Sequence, residues 1–134
     1  MCRAQELWLH GNEIGDVGMS AFANACAKGS FANLTVLHLL QNEITDDGFA
    51  ALFPLIKKDG KLSGLKEFSI GSGITDKSMT EFADLLAKGS LAQLTRLELH
   101  FNKIGDPGLT SLADACAKGS LAQLTVRSLP TASL

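Results

Sequence analysis

The chain has 134 residues, 46% of them hydrophobic, which is enough for one domain with an apolar core and too few for two of ordinary size. Its 12 basic and 14 acidic residues leave a net charge of −2, and neither sign gathers into a block that would follow a phosphate backbone or an anionic membrane, so both are excluded as favoured partners. The opening MCRAQELWLHGNE lacks the apolar run of a signal peptide, no stretch reaches the ~18 apolar residues of a membrane span, and three cysteines show no C-x-x-C pairing, all of which points to a reducing, cytoplasmic setting.

In chain order, the first predicted strand carries Glu6, Trp8 and His10 outward and leads through Asn12 to Ile14. Asp16 then opens a stretch in which Met19, Phe22, Ala23 and Cys26 stand at offsets 0, 3, 4 and 7, the spacing of one apolar stripe on a helix. Lys28-Gly29 writes its stop, with a cation near the negative helix end and a glycine free to take positive φ. Thirty residues on, LTVLHLLQNEI places Leu34, Leu37, Leu39, Asn42 and Ile44 along a short strand, with Val36, His38 and Leu40 facing the other way. Asp46 starts the second helix, striped by Phe49, Leu52, Phe53 and Ile56. Pro54 falls inside it, where a straight helix would lose an amide and clash at a cost of ~3 kcal/mol, so a shortened or kinked helix is expected.

The third copy slips twice. LKEFSIGSGITD keeps Leu65, Phe68 and Ile70 but reaches Ile74 one residue early and without an asparagine, while the preceding IKKDGKLSGL is one residue longer and restores the spacing of thirty. Its helix carries Met79, Phe82, Ala83 and Leu86 and stops at Lys88-Gly89. The fourth copy, LTRLELHFNKI, repeats Leu94, Leu97, Leu99, Asn102 and Ile104 and leads into a helix with Pro107 at its first position and the stripe Leu109, Leu112, Ala113 and Cys116. In LTVRSLPTASL, Arg127 stands where the pattern wants leucine and Pro130 follows, so a fifth strand is expected only as a fragment over 124–129.

These copies divide the chain into units at 4–33, 34–64, 65–93 and 94–123. Asp16, Asp46, Asp76 and Asp106 each precede a stripe by three residues, where a carboxylate accepts from the free amides of its own helix and reads as an N-cap. The recurring AKGSLAQLT at 87–95 and 117–125 is then the turn from each helix into the next strand. A strand of about three residues cannot bury itself, and stacked copies can.

The pattern L-x-x-L-x-L-x-x-N-x-I followed by a long helix resembles a leucine-rich repeat, and the IGDxG and ITDDG junctions resemble its ribonuclease-inhibitor-like subclass, found also in NOD-like receptors and Ran GTPase-activating proteins. The resemblance covers about residues 4 to 129. It implies an α/β fold, a right-handed solenoid or horseshoe with a parallel sheet on the concave face and helices on the convex face, working mostly by binding other proteins. It also implies that Asn12, Asn42 and Asn102 bond the turn backbone as a ladder, interrupted at the third unit.

Outward strand positions form three columns: Glu6, Val36, Glu67 and Arg96; Trp8, His38, Ser69 and Glu98; and His10, Leu40, Gly71 and His100. Their aromatic and charged mixture has no structural requirement behind it and points to a protein partner on the concave face. Trp8 stands on the terminal strand, so covering that end is the alternative role open to it. The three histidines form no ligand set with a carboxylate or thiolate at fixed spacing, so neither metal nor other cofactor is indicated. Cys26 and Cys116 occupy the helix position of Ile56 and Leu86 and read as small core residues, three units apart and beyond bridging. No catalytic motif is present; Ser69, His38 and Glu67 are the only neighbouring trio, and nothing on unstrained strands activates the serine.

The favoured reading is therefore a non-enzymatic protein-interaction module. The rival is a slice of a longer repeat protein without independent activity, because solenoids need polar caps and neither terminus reads as one; self-association through such ends is the corollary. GTPase activation, implied by the Ran-regulator resemblance, is weaker: the loops GNEIGD, QNEITD and FNKIGD carry no arginine.

Overall fold

The structure is a computed structural model that describes residues 2–119 and, as backbone, the strand at 125–128. Strands and helices alternate: β1 (Glu6–Trp8), α1 (Asp16–Ala27), β2 (Val36–Thr45), α2 (Asp46–Ala51), α3 (Phe53–Ile56), β3 (Glu67–Gly73), α4 (Asp76–Ala87), β4 (Arg96–Glu98), α5 (Asp106–Ala117) and β5 (Thr125–Ser128). The strands form one parallel sheet in the order β1-β2-β3-β4-β5. This α/β arrangement is the one the repeating pattern calls for. Arg127 lies in β5, whose side chains, like Pro130, fall outside the described residues.

Alternation along each strand decides what is buried. Leu37, Leu39, Phe68, Ile70, Leu97 and Leu99 join Met19, Phe49, Leu52, Phe82, Leu86 and Leu112 from the helices in one core. Phe49 is its centre, with ring centroids 5.1 Å from Phe82 and 6.2 Å from Phe68.

The AKGS segments end their helices by a specific device. Gly29 takes φ 97°; its amide donates to the Cys26 carbonyl while Ser30 donates to Ala25, and Gly89 and Ser90 repeat this onto Leu86 and Leu85. These are Schellman caps, in which the left-handed residue turns the backbone so that orphan carbonyls regain donors.

Helix starts depart from expectation. Each aspartate is the first residue of its helix, preceded by Gly15, Thr45, Thr75 or Gly105 as the capping residue, and Asp16, Asp46 and Asp76 serve the helix that follows theirs in the next repeat. Asp16 Oδ1 accepts from the amides of Thr45, at 2.8 Å, and Gly48, at 3.0 Å, while its Oδ2 accepts from the Thr45 hydroxyl. Asp46 accepts from the Thr75 amide and hydroxyl and from the Ser78 hydroxyl, and Asp76 accepts from the amides of Gly105, at 2.7 Å, and Gly108, at 3.0 Å. The predicted self-caps are thus cross-repeat caps, because a side chain at the first helical position projects sideways toward the neighbouring helix end rather than back over its own amides. Burial tends to raise the Asp46 carboxyl, but the Ser78 and Thr75 hydrogen bonds outweigh it and hold the group below its ordinary range.

Asn42 and Asn102 form the expected inter-repeat bonds. Asn42 donates to the Leu9 and Leu39 carbonyls and accepts from the Ile14 amide; Asn102 donates to Ile70 and Leu99 and accepts from Ile74. Asn12 stays exposed, donating to Leu9 and His10 within its own repeat. At the third copy the ladder is interrupted: Ser72 donates to the Asn42 carbonyl, and β2 and β3 extend their pairing to Thr45 and Gly73 across a register shift. Gly71, at φ 147°, is needed there, since a Cβ would strike the Asn102 side chain.

The second helix divides at Leu52 into α2 and α3, placing Pro54 in the first turn of α3. The cysteine assignment needs correcting in one half. Cys26 is fully buried, and burial pushes its thiol up to about 11, but Cys116 is exposed because no helix flanks α5 on its far side among the described residues.

Candidate functional site

On the sheet face turned away from the helices, strand register brings the predicted columns together. Glu6 pairs with Val36, Val36 with Glu67, and Glu67 with Arg96; Trp8 pairs with His38, His38 with Ser69, and Ser69 with Glu98. Leu40 pairs with Gly71, while His10 and His100 lie just beyond the ends of β1 and β4.

Trp8 is 54% exposed yet held from two sides. Its ring stacks on His38 at a centroid distance of 4.1 Å and an interplanar angle of 17°, and its indole N–H donates to Glu6 Oε1 at 2.9 Å. His10 meets the same ring edge-on at 6.3 Å. His38 is consequently buried, as is Val36, so these two support the surface from beneath rather than reaching a partner themselves.

Below the stack lies a polar network. His38 Nδ1 is 2.9 Å from Ser69 Oγ and 3.7 Å from Glu98, and its Nε2 is 3.3 Å from Glu67. Arg96 approaches Glu67 at 4.0 Å and Glu98 at 3.6 Å, and its Nε is buried with no partner among the described residues. The serine, histidine and glutamate therefore do meet, and Ser69 is completely buried beneath the exposed residues of the face. Together these groups form a polar floor beside the Trp8 stack. Among the described residues no three His, Cys, Asp or Glu side chains gather in a metal-holding group, and no helix is long and apolar enough to cross a membrane.

An open hollow of about 250 Å³ lies over this floor, with Trp8 and His10 on one side and His100 and Phe101 on the other. Sequence columns missed Phe101 and Gln41, which also line it. Both stand just before a ladder asparagine, where the chain turns through left-handed φ of 65° and 58° and where Gly11 sits in the first copy at 71°. A large apolar side chain at a turn position that permits glycine was the available signal: Phe101 is 51% exposed.

Comparison with known proteins agrees with this geometry. Residues 5–23, 32–53 and 92–113 match the leucine-rich repeat family. The chain is 33% identical over 103 residues to leucine-rich repeat-containing protein 73 of Rattus norvegicus and, to the same extent, of Homo sapiens, covering 75% of this chain and 31% of each relative. It thus spans about a third of the length of the curated relatives it matches. Strand, asparagine and helix follow one another in each segment that matches the leucine-rich repeat family.

Proposed function

We propose that the chain is a non-enzymatic protein-binding module, that the open face of its sheet is the concave surface of a right-handed solenoid of the ribonuclease-inhibitor-like subclass, and that a partner protein docks there. The repeat length and the two-layer strand and helix order support the subclass, and leucine-rich repeats generally mediate protein interactions. One observation carries the reading: Trp8 is exposed over half its surface while its ring stacks on His38 and its indole N–H donates to Glu6. Tryptophan is enriched among the residues that dominate interface energies, and a ring already packed on one face has less freedom to lose on binding. Glu6, His10, Glu67, Arg96, Glu98 and His100 form the polar surround.

Selection of displayed random peptides on the purified chain tests this. Binders should lose about tenfold or more in affinity against Trp8→Ala and Arg96→Ala; binders indifferent to both substitutions contradict it. A second reading, that the chain works only as part of a longer repeat array, is favoured by an apolar hollow of about 180 Å³ lined by Leu9, Ile14, Met19, Phe22 and Leu39 beside the first strand. Under it, the isolated chain yields no binder that depends on the sheet face.

A further inference from the structure

Among the described side chains of the open sheet face, acid outnumbers base: Glu6, Glu67 and Glu98 bring three carboxylates against one guanidinium, that of Arg96. Glu6 is spent on the neutral indole N–H of Trp8, which offsets none of its charge. Arg96 lies 3.6 Å from Glu98 and 4.0 Å from Glu67, and its Nε is buried without a partner among the described residues. Two exposed rings, Trp8 and Phe101, line the same hollow, and an aromatic face is negative at its centre. Excess carboxylate beside open aromatic rings attracts a cation by charge and by quadrupole together, whereas an acidic side chain would enter the field of three like charges.

We propose that this hollow receives a lysine or arginine side chain of the partner protein, its cationic head toward Glu98 and its stem among the exposed rings that line the hollow, Trp8 and Phe101. The assignment rests on the reading of the open face as a protein-binding surface and gives that surface its preferred partner chemistry.

Trp8 is the sole tryptophan of the chain, so its emission reports on this hollow alone. The full chain is titrated with amidated tetra-arginine and, in parallel, with acetylated tetra-glutamate. A saturable emission change with tetra-arginine is expected, weakened about fivefold by Glu98→Gln and by Glu67→Gln and suppressed at about 0.5 M salt, with no response to tetra-glutamate. Binding of tetra-glutamate alone, or tetra-arginine binding unchanged in both glutamine variants, overturns the inference while leaving the face a binding surface. Silence toward both peptides also overturns it, and the displayed-peptide selection then decides separately whether the face binds any protein at all.

Discussion

Asp16, Asp46 and Asp76 join one repeat to the next through single carboxylates, and the residues they meet show why small side chains recur there. A Cβ on Gly108 would lie 2.6 Å from Asp76 Oδ1 and 2.9 Å from Ile104, whereas one on Gly18 would meet only Ile14, at 3.3 Å. Alanine favours a helix over glycine by up to about 1 kcal/mol. Gly18→Ala should therefore fall within about 1 kcal/mol of neutral, and Gly108→Ala should destabilise by about 1–3 kcal/mol through overpacking against Asp76. Urea unfolding of the two variants checks the contrast. A depressed carboxyl at Asp46 means that its bonds contribute stability above the ordinary carboxylate range, and that this contribution fades as pH falls through the lowered folded value. Thermal melts across acid pH should show that loss in the parent chain and a shallower dependence in Asp46→Asn. The aspartate column itself was legible from spacing. Its direction was not, because a count along one helix does not reveal that the carboxylate reaches sideways to the next.

Among the elements, the proline foreseen from sequence as an anomaly in the second helix was resolved by division. Breaking at Leu52 leaves Pro54 in the first turn of α3, where its missing amide would have been an orphan in any case. Pro54→Ala should accordingly change stability by less than about 1 kcal/mol, well short of the cost of proline in a continuous helix; a gain near 3 kcal/mol on urea unfolding would mean that the proline strains the fold. Lys-Gly stops were legible because the Schellman geometry demands a left-handed residue at a fixed place. By contrast, Phe31 and Leu91 take left-handed φ of 61° and 51° immediately after those caps, which no propensity of phenylalanine or leucine foretells. The missing asparagine of the third copy was visible, but its replacement by Ser72 and a lengthened β2–β3 ladder depended on neighbours thirty residues away.

For the whole molecule, parallel register turns a periodic sequence into a continuous face, and the candidate site is what that register collects. Columns read from spacing placed Trp8, His38, Ser69 and Glu98 together because parallel strands of constant offset keep like positions adjacent. Burial of His38 beneath Trp8 and the entry of Phe101 into the hollow came from side-chain size and a turn, which alternation alone does not encode. The central claim is that binding happens on this face and not on the helices. The most direct measurement is amide and indole chemical-shift mapping of the chain with a selected peptide. Shifts concentrated at Trp8, His10, Arg96, Glu98 and His100 are predicted, and shifts concentrated instead in the shallow groove between α4 and α5, at Thr80, Asp84, Ser111 and Asp114, would contradict the account.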